Sequence, residues 1–128
     1  MDYEELIAKA MEARGKAYAP YSDFAVGAAL LARSGRVYTG CNVENASYGL
    51  SICAERTAVF KAVSEGERDF EAIAVVTEKG VTPCGACRQM LMEFGEDIQV
   101  IAANEAGEYR VFGLQELLPE AFTSEDLG

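Results

Sequence analysis

Ala25-Val26-Gly27-Ala28-Ala29-Leu30-Leu31-Ala32 is an apolar run too short for a long helix, and Arg33-Ser34-Gly35-Arg36 separates it from a second short run, Val37-Tyr38-Thr39-Gly40-Cys41. Two such runs joined by a polar, glycine-containing turn predict a β-hairpin. Downstream the period changes. Across residues 53–64, Ala54, Ala58, Val59, Ala62 and Val63 recur at helical spacing, and Gly66 sits where that helix should have ended. Residues 70–76 are a compact apolar run that predicts a buried strand. Glu78-Lys79-Gly80 then turns the chain towards Pro83, which suits the opening of a helix through Cys87, Met90, Leu91 and Phe94, with Gly95 as its stop. Residues 98–103 and 109–112 predict two more strands, and the short turn around Gly107 makes them antiparallel neighbours.

Upstream of the hairpin, residues 3–17 read as an amphipathic helix, with Asp2 as N-cap, Glu5 three residues on, and Leu6, Ile7, Ala10 and Met11 on one face. Pro20 and its polar neighbours make residues 18–23 a loop. Residues 114–118 read as a terminal helical turn ended by Pro119. Strands alternating with helices after an initial hairpin imply an α/β fold, a three-layer α/β/α sandwich built on a mixed five-stranded sheet. A chain of 128 residues has room for one core, so residues 1–128 are expected to form a single domain.

The formal net charge of -10 argues against a nucleic-acid surface, because phosphate binding relies on clustered Lys and Arg. A small neutral ligand or another protein is the expected partner. No apolar run is long enough to span a bilayer, and Met1-Asp2-Tyr3-Glu4-Glu5 is too acidic to open a signal peptide, so a cytoplasmic location is expected. In that reducing compartment the four cysteines are metal ligands, catalytic groups or core residues before they are disulfides.

The chain has no histidine. A Ser-His-Asp or Cys-His relay is therefore impossible, and proton transfer falls to a carboxylate. Cys84 and Cys87 are three residues apart at a helix start, where both sulfurs can face one ion, and Cys53 closes the triangle from the first turn of the other helix. Helix N-termini favour thiolate over thiol, and Arg56 and Arg88 stand beside the cysteines to offset the charge of three thiolates on Zn²⁺. A catalytic zinc keeps an open fourth position, and Glu55, two residues after Cys53, can reach it without being a ligand.

Each feature has a plainer reading. A lone C-x-x-C can be a redox pair or half of a structural zinc site. With Cys41, four thiolates could close such a site, although a small buried residue at a strand end is the preferred reading of Cys41. Glu55 can be an exposed helix residue favoured only by the dipole. Asn42-Val43-Glu44-Asn45-Ala46-Ser47-Tyr48-Gly49 concentrates hydrogen-bonding groups and reads as a binding loop or as a solvated connector.

Taken together, Cys53-Ala54-Glu55, an interval of 27 residues, and Pro83-Cys84-x-x-Cys87 resemble the zinc nucleobase deaminase signature. Phe24-Ala25-Val26-Gly27-Ala28-Ala29-Leu30, Gly40-Cys41-Asn42-Val43-Glu44-Asn45-Ala46, Cys53-Ala54-Glu55-Arg56-Thr57-Ala58 and Pro83-Cys84-Gly85-Ala86-Cys87-Arg88-Gln89 extend the resemblance to the small homotetrameric cytidine deaminases over nearly the whole chain. That resemblance implies one Zn²⁺ per subunit on Cys53, Cys84 and Cys87, with Glu55 as proton shuttle. It implies that Phe24 stacks on a pyrimidine beside Val26, that Asn42 and Glu44 hold the ribose, and that the Ala54 backbone holds the base. Ala46, Tyr48 and Phe122 match positions supplied by neighbouring subunits. The implied reaction is hydrolytic deamination of cytidine and deoxycytidine in pyrimidine salvage, on a nucleoside and not on nucleic acid or at a membrane. The chain departs mildly from the pattern in its short approach to Pro83, residues 78–82, and in carrying Thr82 where serine is frequent.

Overall fold

The computed structural model describes residues 1–127. The hairpin forms as expected, β1 (Gly27–Ala32) against β2 (Val37–Cys41), with Gly27 opposite Cys41 and Leu31 opposite Val37. It builds a five-stranded sheet of order β2-β1-β3-β4-β5 with β3 (Phe70–Val76), β4 (Gln99–Ala103) and β5 (Tyr109–Gly113). β1 is antiparallel to both its neighbours, β3 and β4 are parallel, and β4 and β5 are antiparallel, so the sheet is mixed.

Side-chain alternation divides the core between the two faces. On one face α1 (Tyr3–Arg14) buries Leu6, Ile7 and Ala10 against Ala29, Leu31, Ala74, Val76 and Ile101. On the other, Leu30, Ile73, Val75 and Val100 meet Ala58, Val59 and Ala62 of α2 (Ala54–Ser64), Leu91 of α3 (Gly85–Met92) and Leu114 of α4 (Leu114–Leu117). Helices therefore cover both faces, which makes the three layers of an α/β/α sandwich.

Two helix ends differ from expectation. α1 stops at Arg14 and not at Ala17, because the chain tightens at Gly15: the N–H groups of Gly15, Lys16 and Ala17 donate to carbonyls three residues back. α3 begins after Pro83, with Cys84 as its N-cap, so proline lies outside the helix, and Phe94 lies beyond its end. Asp2 caps α1 through a 2.8 Å bond from the Glu5 N–H. α2 ends as expected at Gly66, whose φ of 97° sits in a Schellman closure: Glu67 N–H donates to Ala62 and Gly66 N–H to Val63.

Layer spacing depends on two glycines. A Cβ on Gly27 would fall 2.0 Å from the Ala10 carbonyl oxygen of α1, and one on Gly40 would fall 2.6 Å from the Ala58 nitrogen of α2. Both helix backbones thus lie directly on the hairpin. Gly27→Val is expected to cost at least about 3 kcal/mol, since the clash is with backbone that cannot repack. Urea unfolding of variant and parent measures this, and a midpoint unchanged by the substitution would show that α1 does not seat on β1.

The topology also gathers one end of the sheet. β2 and β3 are each antiparallel to β1 and hence parallel to each other, with α2 crossing over between them. α2 follows the C-terminal end of β2, and α3 follows the C-terminal end of β3. Both helix N-termini therefore open at the same edge, where ligands bind in open α/β sheets. Gly27 pairs with Cys41 on one side and Val76 on the other, which brings the segment before β1 to that edge as well.

Candidate active site

At this edge a cavity of about 650 Å³ opens, lined by Phe24, Val26, Asn42, Glu44, Tyr48, Cys53, Ala54, Glu55, Arg56 and Cys84 among others. Cys53 and Cys84 are the N-cap residues of α2 and α3, and neither uses its side chain to cap its helix. Their carbonyls accept the first helical bonds, from Thr57 and Arg88, which leaves both sulfurs free. Cys87, fully buried in the first turn of α3, completes a cluster whose three sulfurs lie within 4.8 Å of one another. The Cys53 and Cys84 sulfurs are 4.0 Å apart. Three sulfurs held at about 2.3 Å from a tetrahedral zinc would be separated by about 3.8 Å, so the cluster fits that ion with little adjustment.

Electrostatics agree with that fit. A hydrogen bond from the Cys87 thiol, reinforced by the Arg56 guanidinium, brings Cys53 down from 9.0 to about 5. Cys87 is pushed up instead, first by its hydrogen bond to Cys53 and then by burial. Crowded thiols cannot all ionise unaided, and a bound cation removes the remaining protons. Arg56 Nη2 lies 3.5 Å from the Cys53 sulfur, while its Nε is buried without a partner among the described residues. That guanidinium stands where it offsets the thiolate charge of the cluster.

Glu55 is only 4% exposed, so the reading of an exposed, dipole-favoured residue is overturned. Burial foremost, with the charge at Cys53 adding to it, lifts its carboxyl from 4.5 to about 7. A carboxyl poised there can both take and give a proton near neutrality.

Cys41 stands apart. It shares the strand parity of Val37, which faces α1, and its thiol donates to the Lys16 carbonyl at 3.4 Å. The closed four-thiolate arrangement therefore fails, because a sheet lies between Cys41 and the other three sulfurs. Arg88 also departs from expectation. It donates to the Pro83 carbonyl (2.8 Å), the Leu117 carbonyl (2.7 Å) and Thr82 Oγ1 (2.7 Å), and to no cysteine. Its guanidinium braces the approach to Cys84 against α4, and the Thr82 hydroxyl has a partner there.

Asn42 is buried and fixed at both ends of its amide, accepting from the Val26 N–H (2.9 Å) and donating to the Phe24 carbonyl (2.7 Å). One amide hydrogen remains free. Glu44 Oε1 accepts from the N–H groups of Tyr21 (3.0 Å) and Ser22 (3.1 Å), and Oε2 accepts from the Ser22 hydroxyl. Both side chains line the cavity, so this part of the 42–49 segment is more than a solvated connector. Tyr48 is 79% exposed at the mouth of the chain's own cavity. Ala46 and Phe122 are exposed and lie outside the lining, the Phe122 carbonyl being held by Gln89 at 2.6 Å. Sequence reasoning missed Ser22 and Thr77. The buried Thr77 hydroxyl accepts from the N–H groups of Gly80 (2.9 Å) and Val81 (3.0 Å), folding the cavity wall, and a threonine at a strand end before a glycine was its signal.

Comparison with known proteins agrees with this geometry. Residues 1–103 match the family model described as the cytidine and deoxycytidylate deaminase zinc-binding region. The chain is 54% identical to a cytidine deaminase of Sporosarcina psychrophila, covering 99% of this chain and 96% of that protein. It is 55% identical to one of Halalkalibacterium halodurans, covering 99% and 98%. The crystal structure of cytidine deaminase from Burkholderia pseudomallei superposes with a TM-score of 0.92 at 54% identity, covering 95% of this chain and all of that one. With a thiolate cluster of zinc dimensions, a buried carboxyl beside it and relatives matching end to end, the chain belongs to the cytidine and deoxycytidylate deaminase zinc-binding family.

Proposed function

We propose that the protein hydrolyses the amino group of cytidine and deoxycytidine, giving uridine or deoxyuridine and ammonia, as a step of pyrimidine salvage. The observation that carries this reading is Glu55, buried at the cavity beside three converging cysteine sulfurs. Cys53, Cys84 and Cys87 would hold the zinc. When bound there, zinc supplies a Lewis acid that brings the pKa of a water towards neutrality.

The chain's own residues do the rest. Glu55 takes the proton of the attacking water and passes it to N3 of the cytosine, which makes C4 more electrophilic. The water oxygen bonds to C4 as the C4–N3 π pair moves to N3. Glu55 then carries the second proton of that oxygen to the amino group, and the C4–N4 bond breaks, releasing ammonia as the C4 carbonyl forms. Phe24 stacks on the base beside Val26, and the Ala54 backbone orients it. Arg56 offsets charge at Cys53, whereas Arg88 holds the segment that presents Cys84.

The sugar meets a matched pair. Asn42 has a free amide hydrogen to donate, and Glu44 has an acceptor position left on Oε2, so one ribose hydroxyl, assigned to the 3′ position, can accept and donate at once. Free cytosine leaves these groups without their partner and is expected to react at least about 100-fold less efficiently than cytidine, with Glu44→Gln narrowing the gap. Comparing kcat/KM for the two compounds checks it; equal values would remove Asn42 and Glu44 from substrate recognition.

The remaining elements of the proposal concern setting. The chain acts as a cytoplasmic homotetramer, with Ala46, Tyr48 and Phe122 completing neighbouring sites; exposed Tyr48 and Phe122 support that arrangement. Residues 1–128 act as one domain. Among the described residues no helix is long and apolar enough to cross a membrane. Ammonia and uridine measured after incubation with cytidine test the activity, and sedimentation tests the assembly, a fully active monomer being the contrary result.

A further inference from the structure

Ser22 is exposed at the cavity mouth, in a segment that wraps around Glu44. Its hydroxyl donates to Glu44 Oε2 and accepts from the Phe24 N–H at 3.1 Å, and its own N–H donates to Glu44 Oε1 at 3.1 Å. Tyr21 N–H supplies the remaining bond to Oε1. Asp23, between Ser22 and Phe24, has a φ of 57°, a left-handed conformation uncommon for a residue other than glycine. One hydroxyl thus fixes the carboxylate and closes the turn that sets the Phe24 backbone. The Asn42 amide, which donates to the Phe24 carbonyl, ties the same turn from the other side.

From this geometry we infer that Ser22 is a positioning residue for nucleoside specificity: its hydroxyl holds the Glu44 carboxylate in the register that reads one sugar hydroxyl. The inference rests on the role given above to Glu44. A carboxylate has about four acceptor positions, and the segment occupies three, leaving one directed at a single hydroxyl. Removing the Ser22 hydroxyl would free Oε2 to swing and to bind water, and the remaining contacts to Oε1 would fix only one end of the carboxylate. The hydrogen bond from Ser22 also holds the Glu44 carboxyl below its ordinary range, in keeping with an ionised acceptor.

The test compares cytidine with 3′-deoxycytidine on the zinc-loaded wild type and on Ser22→Ala, Ser22→Thr and Glu44→Gln. A charge-assisted hydrogen bond of this kind corresponds to roughly 10- to 100-fold in kcat/KM. Ser22→Ala is expected to lower kcat/KM for cytidine by that factor, chiefly through KM. For 3′-deoxycytidine, which lacks the hydroxyl, the loss should be no more than about threefold, and Ser22→Thr should restore most of the preference for cytidine. Equal losses on both nucleosides would make Ser22 merely structural and overturn the inference, as would an unchanged Ser22→Ala enzyme. A different result marks failure of the underlying assignment. If wild type and Glu44→Gln treat both nucleosides alike, Glu44 does not read the hydroxyl, and the inference falls with it. Ser22 is exposed, so the alanine variant should fold, and its melting temperature checks this directly.

Discussion

Glu55→Gln is expected to retain bound zinc and lose at least about 10³-fold in turnover of cytidine, because the proposed mechanism assigns every proton transfer to this one carboxyl and no histidine can substitute for it. The amide keeps the shape of the side chain and its place in the cavity, so substrate should still bind. The same substitution should raise the stability of the metal-free protein in a pH-dependent way. Glu55 is raised from 4.5 to about 7, so the folded chain holds this proton more tightly than the unfolded chain. Its stabilising contribution is complete below the unfolded value and is lost as the pH rises through the folded value. Wild type should therefore lose about 3 kcal/mol relative to Glu55→Gln between about pH 4 and about pH 8. Denaturant unfolding at the two pH values, with metal removed, measures the difference. A constant gap would mean that Glu55 is not a buried, protonated carboxyl; substantial turnover in the zinc-loaded variant would remove it from the chemistry.

Cys84→Ser carries the second large effect. Altering a neighbour of a metal ligand commonly weakens binding about 10- to 100-fold, so loss of a ligand should exceed about 100-fold. Cys84 is the exposed member of the cluster, and its backbone carbonyl already accepts the Arg88 N–H that opens α3. The fold should therefore survive while metal and activity are lost together. Zinc content after gel filtration, read beside a thermal melt, separates this outcome from unfolding; a variant with full zinc and full turnover would place the ion elsewhere. Cys41→Ser is the natural control, since its sulfur faces the Lys16 carbonyl on the far side of the sheet.

The parts of this site differ in how plainly the sequence announces them. β2 and β3 match their expected bounds because each is a run with polar or glycine-containing turns close by. The Cys53–Glu55 and Cys84–Cys87 spacings are local, so helix geometry alone carries them. Cys41 could also have been settled by strand parity, because it alternates with Gly40 and shares a face with Val37. Other features depend on contacts between distant positions. Arg88 stands beside a ligand in sequence, yet it spends its donors on Pro83, Thr82 and Leu117, a choice fixed by where α4 packs. Ser22 looks like an ordinary loop residue until the fold brings Glu44 against it. Glu55 illustrates the reverse: helix position alone favours exposure, whereas the sandwich buries it and raises its pKa.

The most direct measurement follows cytidine loss by absorbance on one preparation in three states: as isolated with zinc, after chelation to verified metal loss, and after return of one equivalent of zinc. Turnover should disappear with the metal and return in proportion to zinc bound, reaching its maximum near one ion per chain. Full activity in the verified metal-free protein, or no activity with the thiolate site fully loaded, would contradict the zinc-dependent deamination assigned to Cys53, Cys84, Cys87 and Glu55.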